Sequence, residues 1–243
     1  MKITFFGSSH GVPEPHRKCS CTLVETGGKK YLIDAGMDPV DELVTRGIGI
    51  GEISAVFITH LHGDHTDGLI HMADLLSWYY KTASPNFYVP KLGLRDAMKP
   101  WLAIQGVNLR EDLEFTEIRE GLFYDDGVLR VTAFRTGHID VSYAFMLEAE
   151  GKTVLFTGDM KHETGPVDDY ARYAEKRQFD FVAAECAHFD AMLYEAPLRK
   201  NPPKLFCFNH YSPRFEESCL HLRESVKDVV PVIMATDGRM VEV

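Results

Sequence analysis

The stretch Val56–Gly68 reads VFITHLHGDHTDG. An apolar, β-prone run ends here, and His60, His62, Asp64 and His65 follow within six positions. Side chains two apart on extended chain share a side. The spacing therefore predicts His60, His62 and Asp64 on one side, with His65 turned differently. Gly63 lets the backbone bend where it must. Imidazoles mixed with a carboxylate suit zinc, manganese or iron better than calcium, whose shells are all oxygen. Four donors in so short a segment exceed what one tetrahedral ion takes from it, which points to two ions sharing it. The alternative is a polar loop with chance histidines, since the chain has 11 His. The spacing and the preceding strand favour ligation.

Two ions need more donors, and other strand ends offer them. His138 follows the apolar run in LRVTAFRTGHID, Asp159 the run in KTVLFTGDM, and His210 the run in KLFCFNHY. Each alone is an ordinary loop residue; together they complete a dinuclear shell.

Around these points the chain alternates. KITFFG, CTLVET, KKYLIDAG and ISAVFITH read as strands, with Gly27-Gly28 as a hairpin turn. GLIHMADLLSWYYK has apolar residues at helical spacing. NFYVP reads as a short strand, and GLRDAMKPWLAIQ as a helix up to a break at Pro100. LEFTEI, LRVTAFRT, YAFMLEAEG and KTVLFTGD make a second set of strands. DDYARYAEKRQF and FEESCLHLRESVKD read as helices, with DFVAAECA, KLFCFNH and VVPVIMATDG as strands. No short-period repeat or low-complexity linker interrupts residues 1–243, so one domain is the simplest reading. Two β-rich halves with helices outside predict a four-layer αββα sandwich of the α/β class.

Apolar residues make up 45% and charged ones 26%, the balance of a soluble globular chain. A net charge of −10 makes a poor general polyanion binder, which needs clustered Lys and Arg. The acid-rich run Glu111–Asp126 reads as a solvated face or loop. Five cysteines, odd in number and sparse, do not make a disulfide framework and suit a reducing compartment. The N-terminal apolar run is too short for a signal peptide. No run approaches the ~20 residues of a spanning helix. A cytoplasmic protein without a membrane role is expected.

THLHGDH, TGH, TGD and NH, in that order, resemble the metallo-β-lactamase superfamily of dinuclear hydrolases, from Gly7 to Asp237. The resemblance implies two divalent ions per chain, zinc or manganese, with iron also possible. It implies His60, His62 and His138 on the first ion, Asp64, His65 and His210 on the second, and Asp159 bridging. Asp34, in YLIDAG, matches an early Asp that orients ligands.

GSSHGVP and LIDAG are similar to the branch containing the tRNA 3′-processing endonuclease RNase Z and the phosphoribosyl cyclic phosphodiesterase. AAECAHFD looks like the phosphodiesterase's Asp-Cys-Ser-His stretch, and TDGRMVEV like its closing strand. This match makes His188 the candidate general acid, with Glu185 holding its tautomer. Turnover is expected to depend on Asp64 and His188. Ser212 and Arg214, just past His210, are candidates for meeting a substrate phosphate. The phosphodiesterase also carries a structural zinc site built from clustered cysteines. Here only Cys19 and Cys21 stand, and the position three past His210 is Pro213, so no structural zinc is expected. The Gly/Pro-rich basic arm of the endonuclease branch is not visible either.

The ions outweigh Asp64, Asp159 and a shared hydroxide by about one positive charge, inside a chain of net −10. That favours a small cyclic or nucleotide-like phosphodiester over long nucleic acid, cleaved by a metal-bridging hydroxide. The alternatives are tRNA 3′ processing and hydrolysis of a lactone or thioester. A diiron redox role is disfavoured by His62, where such relatives carry Glu. Homodimers are common in the superfamily.

Overall fold

The computed structural model describes residues 1–175 and 177–243. Its strands are β1 Lys2–Gly7, β2 Cys21–Thr26, β3 Lys29–Ile33, β4 Ile53–Phe57, β5 Asn86–Val89, β6 Phe115–Glu117, β7 Gly121–Asp125, β8 Arg130–Arg135, β9 Tyr143–Ala149, β10 Lys152–Phe156, β11 Phe181–Cys186, β12 Leu205–Tyr211, β13 Val232–Met234 and β14 Met240–Glu242. Its α-helices are α1 Pro39–Thr45, α2 Gly63–Trp78, α3 Gly93–Ile104, α4 Ala171–Ala174, α5 Glu195–Lys200 and α6 Glu216–Ser225.

The strands form two seven-stranded sheets, in the orders β14-β1-β2-β3-β4-β5-β6 and β13-β12-β11-β10-β9-β8-β7. In the first sheet β1, β2 and β3 run antiparallel, and β4, β5 and β6 continue parallel to β3. In the second sheet β8, β9 and β10 run antiparallel, and β11, β12 and β13 continue parallel to β10. The β2–β3 hairpin turns on Gly27 and Gly28, both at positive φ, as a two-residue turn between right-twisted strands requires.

Alternation along each strand sorts side chains into three apolar layers. Phe5, Tyr31 and Phe57 of the first sheet meet Val131, Phe145 and Phe181 of the second in the central layer. On the outer side of the first sheet, Leu32 and Val56 pack with Leu69, Met72 and Leu76 of α2 and Leu102 of α3. On the outer side of the second, Val182 and Phe206 pack with Tyr170, Leu198 and Leu222. The predicted four-layer αββα sandwich is the observed architecture. Truncating one fully buried Leu in such a layer costs about 2–5 kcal/mol.

Local departures have local causes. α2 begins at Gly63, so Asp64 and His65 stand on its first turn rather than on extended chain. The shared side expected for His60, His62 and Asp64 is therefore broken after His62. α3 continues through Pro100 instead of ending there. Pro100 and Asp96, four residues earlier, are both exposed, so the carbonyl left without an N–H partner faces water. The helix read over Asp168–Phe179 is a wide turn at Pro166–Tyr170 followed by α4; its position 176 lies outside the described residues.

The run Glu111–Asp126 is not simply a solvated face. It carries β6 of one sheet and β7 of the other, and its last residue clasps the two together. The Asp126 carboxylate accepts from Lys29 Nζ (2.8 Å) and Tyr31 Oη (2.8 Å) on β3. It also accepts from Tyr124 Oη (2.9 Å) and the Val128 and Leu129 amides of the β7–β8 turn. All five cysteines are free thiols. No described helix is long and apolar enough to cross a membrane.

Candidate metal centre

Asp34, His60, His138, Asp159 and His188 each follow the C-terminal end of a strand, and His210 lies near the end of β12. These ends share one edge of the sandwich. Two close approaches fix the Asp34 turn against α2. A Cβ on Gly36 would lie 1.6 Å from the Asp64 carbonyl oxygen, and one on Gly68 would lie 1.9 Å from that of Met37. Only glycine fits at either position. Asp34 and His210 adopt φ of 60° and 59°, a left-handed conformation that few non-glycine residues enter, Asp and His more readily than most.

The side chains converge on two nests joined by one carboxylate. His60 Nε2 and His138 Nε2 each lie 3.1 Å from His62 Nδ1. Both face Asp159 Oδ2, at 3.7 and 3.6 Å. In the second nest His65 Nε2 and His210 Nε2 lie 3.3 and 3.5 Å from Asp64 Oδ2. Both are 3.4 Å from Asp159 Oδ1. Each nest has the donor spacing that can hold one metal ion. All seven residues named from the sequence as ligands are in them.

The donor set fits divalent cations. His65 Nε2 and Asp159 Oδ1 are buried and have no hydrogen-bond partner. Buried polar atoms are rarely left so. Asp159 is 2% exposed, yet the imidazoles of His210, His65 and His60 outweigh its burial and hold its carboxyl well below the usual range. Burial drives His60 down to about 2, helped by His65. Burial likewise drives His138 down to about 4. Both rings are neutral at pH 7, with lone pairs available to a cation.

A second ring of residues fixes the side chains around the nests. Asp34 accepts from His65 Nδ1 (2.7 Å), the Thr59 amide (2.8 Å) and Thr59 Oγ1 (2.9 Å). The bond from Nδ1–H leaves the Nε2 lone pair of His65 aimed into its nest. Glu185 accepts from His188 Nδ1 (3.0 Å), the Met160 amide (2.7 Å) and the Ala187 amide (2.9 Å). His188 Nε2 then points inward, 3.9 Å from Asp159 Oδ2. Burial lowers the pKa of His188, but the Glu185 bond outweighs it and raises the ring to about 9.

Two residues were missed by sequence reasoning. His162 lies beside the site, its ring centroid 5.0 Å from His138 and 4.4 Å from His188. Nothing in MKHETG distinguishes it from an ordinary loop histidine. Asp237 holds the loop beneath His210. It accepts from the Ser8 amide and hydroxyl and from the Lys18 amide (2.7 Å), while the His210 amide donates to Ser8 O. The closing motif TDGRM was the available signal. Of the segment after β5, Lys91 reaches the His138 loop, pairing with Asp140 at 2.8 Å.

Residues 1–193 match the family described as Anti-Pycsar protein Apyc1. The chain belongs to that family. The match takes in every residue of the two nests except His210. A ribonuclease Z from Geobacillus kaustophilus is 33% identical over 148 residues, 60% of this chain and 48% of that protein. The Apyc1-family chain spans 48% to 60% of the length of the first three ribonuclease Z relatives it matches. Two solved structures share its fold. The metallo-β-lactamase fold protein YhfI from Bacillus subtilis has a TM-score of 0.79 at 18% identity, covering 100% of this chain and 99% of that one. The short form of human tRNase Z has a TM-score of 0.75 at 21% identity, with the same coverage. The expectation against long nucleic acid thus meets relatives that carry a ribonuclease name.

Proposed function

We propose that this chain is a dinuclear metal-dependent phosphodiesterase acting on a small cyclic or nucleotide-like ester. The observation that carries the reading is the position of Asp159, with one oxygen toward each nest and His188 beyond. In this reading His60, His62 and His138 hold the first ion, Asp64, His65 and His210 the second, and Asp159 both. Zinc or manganese suits the mixed set. Such a pair lowers the pKa of water and offsets charge developing on a phosphoryl oxygen.

The chain's own residues supply the rest. Asp34 orients His65. Glu185 stabilises protonated His188, which at neutral pH holds a proton on Nε2 and gives it to the departing alkoxide. The net change is addition of water to a phosphodiester, yielding a phosphomonoester and an alcohol. The local positive charge within an acidic chain supports a small anionic substrate.

A second reading, cleavage of an RNA phosphodiester, is favoured by the ribonuclease Z relatives. It uses the same residues. Metal-stripped protein reloaded with zinc or manganese is expected to bind two equivalents and to release nitrophenolate from bis(p-nitrophenyl) phosphate. Folded, metal-loaded protein inert toward that ester would reject both readings. Faster cleavage of a short precursor tRNA than of cyclic phosphates would select the second.

A further inference from the structure

We propose that His162 and His188 together hold a third metal ion, zinc rather than manganese, and that this ion silences His188 as a proton donor. The inference deepens the phosphodiesterase reading and takes the role of His188 from it. His138, His162 and His188 each offer a ring nitrogen, and these nitrogens lie within 4.8 Å of one another. In the reading above His138 serves the first ion, which leaves the other two. Their ring centroids are 4.4 Å apart. Glu185 accepts from His188 Nδ1, so Nε2 is the nitrogen that His188 offers. Zn–N bonds of about 2.0–2.1 Å put two ligating nitrogens within about 4 Å of each other. His162 is exposed, so a turn about its side chain closes that gap without moving the fold.

The loop that carries His162 is tied to His188 by backbone. Glu163 adopts a φ of 65°, and its amide donates to the His188 carbonyl (3.3 Å). A Cβ on Gly165 would lie 2.6 Å from Met160 Cβ and 2.7 Å from Phe189 Cε1, so glycine lets the loop pack there. A pair of imidazoles suits zinc, whereas manganese prefers oxygen donors. A third dication is repelled by the first two. Glu163 and Asp190 line the same recess, about 490 Å³ in volume, and offset part of that repulsion. The third site therefore fills after the two nests and more weakly than they do. Water completes its shell. The ion takes the Nε2 lone pair of His188, and the proton that Nε2 carried passes to solvent. A departing alkoxide then finds no proton at that nitrogen.

The test is equilibrium dialysis of the full chain against zinc or manganese in excess, with bound metal measured by atomic absorption. Wild type is expected to take up one more equivalent of zinc than His162→Ala, and the two proteins to take up equal manganese. Turnover is read beside it on two esters: adenosine 3′,5′-cyclic phosphate, whose leaving oxygen is an alkoxide, and bis(p-nitrophenyl) phosphate, whose leaving group needs no acid. Excess zinc is expected to slow wild type on the cyclic ester by tenfold or more, since a general acid supplies about 10²–10⁴-fold. It should leave nitrophenolate release little changed, and His162→Ala should keep both rates. Equal zinc uptake by the two proteins would overturn the proposal, while nitrophenolate release leaves the phosphodiesterase reading standing. An extra equivalent that depends on His162 but does not slow the cyclic ester would overturn the silencing of His188. Metal-loaded, folded protein that cleaves neither ester would reject the phosphodiesterase reading, and the difference in zinc uptake would still decide whether the third site exists.

Discussion

His188 combines a buried carboxylate behind it with an open recess in front. Its pKa of about 9 means that the acid form is present at neutral pH and lost as pH rises. Positive ions in the nests move that value downward. Turnover of an alkoxide ester is expected to fall above pH 9 or at a somewhat lower pH. His188→Gln should lose about 10²–10⁴-fold on such an ester and abolish this limb. A pH–rate profile with a nitrophenolate ester, which needs no acid, should lack the limb in both proteins. Asp34 acts one bond further out. Asp34→Asn keeps the shape but loses the charge that fixes the His65 tautomer, and should weaken metal binding by about 10–100-fold in a chelator competition. The candidate ligands were legible because each lies in a short motif at a strand end or just beyond one. His162 and Asp237 were not: one is a lone loop histidine, and the other works through backbone amides that no side-chain pattern announces.

At the scale of elements, the clasp at Asp126 joins β3 to the β7–β8 turn through five donors. The carboxylate is 17% exposed. Burial raises its pKa, but the Leu129 amide, Lys29 and Tyr31 outweigh this and hold it below the usual range. Its contribution is therefore present above the unfolded value of about 3.9 and is lost as pH falls through the folded one. Asp126→Ala should lower stability by about 2–3 kcal/mol at pH 7 in urea unfolding. The gap to wild type should narrow below about pH 4. A constant gap down to pH 2 would refute the electrostatic origin. Composition alone made this run look solvated, because acidic residues on a strand turn read the same whether they meet water or amides. Strands ending in ligands were readable from alternation. β7 was not, since GLFYD is short and half exposed. The start of α2 was missed because its first turn is spent on ligands rather than on an apolar stripe.

For the whole molecule, two sheets meet where seven ionisable side chains that could hold metal are collected, so ions bound there would act on the folded state alone. At a thousandfold excess over Kd such binding adds about 4 kcal/mol. At about 2–4 °C per kcal/mol, chelation should lower Tm by roughly 10 °C, and zinc or manganese should restore it. An unchanged Tm would mean that the nests are empty in the native protein. The strand orders carry a further consequence. In each sheet four antiparallel strands are followed by three that run parallel to the last of them, so either half retraces the other. Asp34 follows β3, the last antiparallel strand of one half, and Asp159 follows β10, the last of the other. The histidine motif follows β4, the first parallel strand after β3, while Glu185 lies at the end of β11 and His188 follows it, β11 being the first parallel strand after β10. The architecture is thus one plan laid down twice. Matching positions differ in their surroundings: one aspartate holds a histidine while its counterpart faces both nests, and one strand end gathers histidines while its counterpart pairs a histidine with a buried carboxylate.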